Sequence, residues 1–441
     1  MNEKILINYK KYIELVFPVI CLTAVFINYK YFGYLVILYF FIREQLNLGD
    51  HITRRYKNFY LFFPLFFYLA RFVYALSPAF NNLLSNISQI NYFEKARFLD
   101  LQHLFLELYC NKIGREFTYI YKFDEAWVNS CPYTNFWGPL SKIIIINYDN
   151  IWQLTLLSAF IILFFLYSIY FKSYKKFTKN HDLLFFLSIS PPLNFLIDRM
   201  NVDIIIYLIC FWIFKSNKQM YLKLTILILL SLYKIHPIFI IFGFVLYFMS
   251  KRDFKKFIFA SVSLLISALG IFNFYTNNEF YTARPSELKW SFGLLSDAIS
   301  INHLFNLNIY IVYFFLLLLI LSFSLILKKN IKNNLSLNNF PLFVISVWFL
   351  AVSLYANHDF RIPLLFLIFF KLYEFKVNIL NYSLMIFIFL SPPPSFSSNI
   401  DYSNIIQKNI HYIDLSFYFI LSYLTLYVFS IIRSIFFDSK T

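Results

Sequence analysis

Two polar clusters interrupt the most apolar part of the chain. Asp198-Arg199-Met200-Asn201-Val202-Asp203 comes a short apolar turn after Pro191-Pro192, and Lys234-Ile235-His236-Pro237 comes two apolar runs later. An ionisable side chain between such segments is costly unless it faces a partner or a water-filled cavity, which makes it a functional-site candidate. A third cluster, Asn357-His358-Asp359-Phe360-Arg361, has the same character. Arg199, Lys234, His236, His358 and Arg361 are cationic or can become so, a set suited to holding a phosphate or pyrophosphate, with arginine adding bidentate geometry. Asn201, Asp203 and Asp359 are interleaved with them and complete the candidate binding set. Taken singly, each residue has a plainer role. Asp198 or Asp203 can cap a turn, Pro191-Pro192 can end a helix, and Arg361 can pair with Asp359.

A carboxylate able to act as a base is found on a different stretch. Glu94-Lys95-Ala96-Arg97-Phe98-Leu99-Asp100-Leu101-Gln102-His103 opens a predicted amphipathic helix with Phe98, Leu101, Phe105 and Leu108 on one face. Such a helix lies at a membrane surface and holds Asp100 at the depth of a lipid headgroup, where it can deprotonate an acceptor hydroxyl. Asp100 and His103, three residues apart, could share a divalent metal, but two ligands are too few to support one, and no cofactor is expected. Walker-type, dinucleotide-binding and Ser/His/Asp patterns are absent from the sequence, and seven glycines leave little material for a phosphate-cradling loop.

These residues must be positioned by membrane-spanning helices. The 441-residue chain is 60% hydrophobic and 23% aromatic but only 14% charged, more apolar surface than a water-soluble domain can cover. The expected fold is all-α and polytopic, a single integral membrane domain over residues 1–441 with about 12–14 transmembrane helices. Several of the apolar runs are shorter than a full crossing of about 20 residues, which predicts tilted pairs or half-helices. The first run, Tyr12–Asn28, lacks a small-residue cleavage site and is read as a retained span.

Short basic loops set the orientation. Arg54, Arg55 and Lys57; Lys172, Lys175, Lys176 and Lys179; Lys251, Arg252, Lys255 and Lys256; and Lys328, Lys329 and Lys332 fall on one side when the spans alternate. That side, with both termini, is expected to be cytoplasmic. The net charge of +16 is then a topology signal and calls for no nucleic-acid partner. The large loop 81–150, the second loop 276–308 and all three polar clusters fall together on the other side. Cys110 and Cys131 share the large loop, in a compartment that permits a disulfide, so the two are expected to be paired. Cys21 and Cys210 lie in apolar runs and are expected to be buried.

The combination resembles the polyprenyl-phosphate-dependent glycosyltransferases of the GT-C class, and within it the family-87 type related to bacterial membrane mannosyltransferases. Asp100, Gly114 and Trp137-Gly138-Pro139-Leu140 stand where that family has a loop aspartate, a glycine and a Tyr-Pro-Pro-Leu-like segment. Arg199-Met200-Asn201-Val202-Asp203 resembles its Arg-Gly-Asn-(Ile/Val)-Asp, and Lys234-Ile235-His236-Pro237 its Lys-(Leu/Ile)-(Tyr/His)-Pro. Asn357-His358-Asp359-Phe360-Arg361 is similar to an Asn-x-Asp-Tyr-Arg edge in bacterial relatives. The likeness spans about residues 90–365, with Met200 in place of the usual glycine and an extra N-terminal hairpin.

The resemblance implies a multi-pass protein of a bacterial inner membrane that moves a sugar from a polyprenyl-phosphate donor to a lipid-linked or glycan acceptor. Asp100 would be the base and the cationic residues would hold the phosphate. Two other functions carry distinct signatures. An O-antigen-type polymerase would use a lipid-pyrophosphate oligosaccharide. A flippase or transporter would show midplane polar residues and internal repeats, and no repeat is visible in the sequence.

Overall fold

The computed structural model describes residues 16–24, 29–46, 57–76, 150–176, 181–200, 203–215, 219–277, 291–331, 340–354, 357–358, 378–390 and 402–437, with isolated positions between 98 and 109, at 147, and between 365 and 369. Asp100, Cys110, Cys131, Asn201, Asp359 and Arg361 lie outside the described residues, as do most of the loops 81–150 and 276–308.

Long apolar runs give helices, and Pro64 in the second of them is accommodated within the helix. In chain order they are α1 (Tyr29–Gln45), α2 (Lys57–Leu76), α3 (Ile151–Lys176), α4 (His181–Ser188), α5 (Pro191–Arg199), α6 (Asp203–Lys215), α7 (Met220–Tyr233), α8 (Pro237–Ser250) and α9 (Phe254–Asn277). They continue with α10 (Leu294–Phe305), α11 (Ile309–Ile331), α12 (Phe340–Ser353), α13 (Asn378–Leu390) and α14 (Tyr402–Phe437). Among the described residues the fold is all-α apart from one antiparallel pair, β1 (Ser291–Phe292) and β2 (Asn357–His358). Among the same residues, segments in α3, α9 and α14 are long and apolar enough to cross a membrane, and seven further apolar helices are shorter.

The apolar surface faces both ways, as a bilayer requires. Ile258, Leu265, Leu269 and Phe272 on α9, and Phe160 and Phe164 on α3, are exposed large side chains. A water-soluble monomer of this size rarely shows so much contiguous apolar surface. The central α4 and α5 are enclosed instead, with every residue from Asp182 to Asn194 buried.

The break between α4 and α5 follows from Pro191 and Pro192, which have no N–H to give to the carbonyls of Leu187 and Ser188. Other donors replace them. Ser190 Oγ donates to Leu187 O at 2.8 Å, and Tyr68 Oη on α2 donates to Ser188 O at 3.1 Å. Asn194 Nδ2 donates to Ile189 O at 3.0 Å. A broken helix is tolerated away from water only when its freed carbonyls are satisfied in this way.

At the start of α4 the Asp182 carboxylate accepts from Tyr39 Oη at 2.7 Å and from Arg43 Nη1 at 3.1 Å, tying α1 to the centre. Tyr382 on α13 donates to Glu44 at 2.7 Å, a second polar tie to the end of α1. These ties gather at the end of α4–α5 opposite to Arg199. Cys21 and Cys210 are both free and buried.

Candidate functional site

Asp203, Lys234 and His236 meet because α6 and α7 form a hairpin of matched arms. The arms have 13 and 14 residues, so the chain leaves Asp203, turns, and returns Lys234 to the same level. The far end of the hairpin is secured by Lys223, whose Nζ donates to Ile213 O at 3.1 Å and lies 5.0 Å from the Trp212 ring. A cation on the last carbonyls of α6 suits the negative end of its dipole. α7 ends at Lys234 in extended conformation, and Pro237 starts α8 at a position where its missing N–H costs nothing.

At the near end one carboxylate oxygen serves two partners. Asp203 Oδ1 lies 3.2 Å from Lys234 Nζ and 3.1 Å from His236 Nε2. The Asp203 side chain is 1% exposed, His236 9% and Lys234 17%, so the ammonium is the member that reaches the outside. A carboxylate this deeply buried has to be compensated, and two basic groups compensate it. With His236 neutral the trio carries no net charge, and with His236 protonated it carries +1.

α8 and α12 pack antiparallel across this cluster. Gly243 of α8 faces Val344, where an added Cβ would sit 3.1 Å from the Val344 Cα. That close approach one turn away brings Trp348, buried in α12, edge-on to the His236 ring with centroids 6.2 Å apart.

Among the described residues five non-glycine residues have positive φ (Phe98, Met200, Gln219, Arg252 and Asn306), and two of them, Met200 and Phe98, flank the candidate residues. Met200 has φ 47° and ψ 44° and closes α5, its N–H bonding Ile197 O at 3.1 Å. Left-handed helix ends favour glycine, which explains in physical terms why an Arg-Gly-Asn pattern suits this point of the chain. Phe98, two residues before Asp100, has φ 55° and is buried. Its ring stacks on Phe72 of α2 at 6.3 Å, and its carbonyl accepts from the N–H groups of Leu101 and Gln102. Strain of this kind persists where the surroundings over-determine it, and such places gather at functional sites. Next to Phe72 is Arg71, a buried guanidinium 5.1 Å from the Phe67 ring.

The sequence expectations divide accordingly. The structure unites Asp203, Lys234 and His236, and it docks the turn that begins at Phe98 against α2. The expected amphipathic face is seen at Phe98, Leu101 and Leu108, all buried, with Phe105 half-buried; Leu101 and Gln102 are helical, and residues 94–97 lie outside the described residues. Arg199 closes α5, four residues before Asp203, with only its backbone described. His358 pairs through its backbone with Ser291, so the segment 276–308 and the third polar cluster are joined by β1 and β2. Among the described residues no group of three His, Cys, Asp or Glu is placed to hold a metal ion.

Three further polar residues were not singled out from the sequence. Arg71 is a charge inside an apolar run, the same sign that marked Asp203, whereas Asp182 stands at the edge of one, after Lys179-Asn180-His181. Asp297 on α10 accepts from Tyr418 Oη of α14 at 2.6 Å. No protein-family model matches the chain, and no curated protein or solved structure matches it.

Proposed function

We propose that the chain is a multi-pass membrane glycosyltransferase that moves a sugar from a polyprenyl-phosphate donor to a lipid-linked or glycan acceptor on the extracytoplasmic face. The observation that carries the proposal is the Asp203–Lys234–His236 cluster. It joins two of the three polar segments that resemble the GT-C pattern, and Met200 gives the glycine position of that pattern a conformational reason.

In this reading Lys234 and His236 meet the phosphate of a donor that enters sideways from the bilayer. Asp203 holds the two groups in place beforehand, so that no reorganisation is needed when charge develops. Arg199, Asn201, His358, Asp359 and Arg361 contribute to the same donor and acceptor site. The acceptor hydroxyl oxygen attacks the anomeric carbon and its proton passes to the Asp100 carboxylate. The bond from that carbon to the phosphate oxygen breaks, and the lipid phosphate leaves with its negative charge against the cationic side chains. The chemistry requires no nucleotide and no metal. A bacterial inner membrane, cytoplasmic termini and a Cys110–Cys131 disulfide complete the proposal.

The test is transfer in proteoliposomes, with polyprenyl-phosphate sugars as donors and extracted lipid-linked glycans as acceptors. Labelled sugar is expected on the acceptor. Growth of glycan from lipid-pyrophosphate oligosaccharides alone would give the function to a polymerase, and movement of lipid-linked glycan across the bilayer without transfer would give it to a flippase.

A further inference from the structure

Trp348 is fully buried, and its indole Nε1–H has no hydrogen-bond partner among the described residues. Leaving such a donor unsatisfied costs about 1–3 kcal/mol, and a native fold that keeps one there generally has a use for it. Other buried hydroxyls, among them those of Tyr423 and Tyr427 on α14, also lack a described partner. Trp348 differs from them in its neighbour, because its ring meets His236 edge-on at 6.2 Å, and His236 belongs to the cluster on Asp203. The close packing at Gly243 and Val344 fixes this meeting of α8 and α12.

The groups gathered here are donors in excess. Lys234 offers three N–H bonds and His236 up to two, Trp348 offers one, and Asp203 Oδ1 is the acceptor that Lys234 and His236 approach. Water-poor surroundings also make each bond to a charged oxygen stronger than it would be at a surface.

We propose that the Trp348 indole N–H is a further binding group of this site, reserved for an anionic oxygen of the donor phosphate that it holds together with His236 and Lys234. The proposal rests on the glycosyltransferase reading for the identity of the ligand. Entry is from the Lys234 side, the exposed edge of the cluster. Asp203 yields part of its hold on the two basic groups as the phosphate arrives.

The experiment measures binding of farnesyl phosphate, farnesol and inorganic phosphate to the full chain in nanodiscs, for wild type and Trp348→Phe. Phenylalanine keeps a ring against His236 and removes the N–H. Farnesyl phosphate is expected to bind wild type and to bind Trp348→Phe about 10-fold to 100-fold more weakly, the usual loss for one bond to a charged group. Farnesol binding should be the same in both proteins. Weaker binding of inorganic phosphate to the variant, in the same proportion, supports a phosphate site that does not depend on the lipid tail.

A second readout covers the case in which Trp348→Phe does not fold. In a chain that keeps Trp348 and has phenylalanine at Trp127, Trp137, Trp152, Trp212 and Trp290, the indole N–H proton resonance should move downfield as farnesyl phosphate is added. Equal affinities of wild type and Trp348→Phe, or an unmoved indole resonance at saturation, overturn the proposal for Trp348 and leave the donor reading standing. Failure of wild type to bind farnesyl phosphate at all overturns both.

Discussion

The Asp203 carboxylate and the Lys234 ammonium, 31 residues apart in sequence, stand 3.2 Å apart at the open end of the α6–α7 hairpin. Removing the acid leaves two basic groups facing each other in a largely buried site. Breaking a buried pair costs about 3–5 kcal/mol, and the partial exposure of Lys234 puts Asp203→Asn at the low end. Thermal unfolding in detergent should show the loss, and Asp203→Asn with Lys234→Met should recover a good part of it.

Met200 offers a test of backbone against packing. A left-handed conformation costs a non-glycine residue about 1–2 kcal/mol, whereas truncating a buried methionine costs about 2–5 kcal/mol. Met200→Gly should therefore lower stability modestly and keep transfer activity, since glycine adopts the same φ readily. Met200→Val should lose both, because a β-branched residue resists that conformation. Equal activity of the two variants would show that the turn geometry is not what positions Arg199 and Asp203.

Asp297 predicts a pH dependence. The residue as a whole is half-buried, but its carboxyl is desolvated, which pushes it up to about 7, while the hydrogen bond from Tyr418 works in the opposite direction. A carboxyl raised in the folded state contributes stability that is fully present below the ordinary carboxylate range and is lost as pH rises through about 7. Unfolding midpoints should accordingly fall between pH 5 and pH 8, a range taken to bracket that value. Asp297→Asn should flatten this part of the profile.

The Tyr68 hydroxyl is the replacement partner for the Ser188 carbonyl that Pro192 cannot satisfy. Tyr68→Phe should cost about 1–3 kcal/mol, the penalty for an unpaired buried acceptor. A double variant that also replaces Pro192 with alanine restores a backbone donor and should lose less than the two single effects combined. Additive losses would mean that the hydroxyl and the proline act independently.

What could be read from the sequence was whatever depends on local contrast. Asp203, Lys234 and His236 stood out because each is a polar residue among apolar ones, and Pro191-Pro192 marked a helix break directly. Their convergence was legible only as a shared side of alternating spans. The contact itself depends on equal hairpin arms, and sequence boundaries are too loose to establish those. β1 and β2 are two residues each, too short to show an alternating pattern. Trp348 looked like any core aromatic, since nothing local reveals that its N–H has no partner among the described residues. Arg71 carried the same contrast as Asp203, but no neighbouring motif drew attention to it, and Asp182 was masked by the polar Lys179-Asn180-His181 before it.

The most direct measurement is the rate of sugar transfer by Asp100→Asn in proteoliposomes, compared with wild type and with Asp124→Asn and Glu125→Gln. Loss of a general base typically costs a factor of about 10²–10⁴. Asp100→Asn should show that loss while the protein stays folded and still binds the lipid-phosphate donor, and the other two variants should lose much less. Normal turnover by Asp100→Asn beside a collapse in Asp124→Asn would contradict the assignment of the base, and indifference of all three would contradict the glycosyltransferase reading itself.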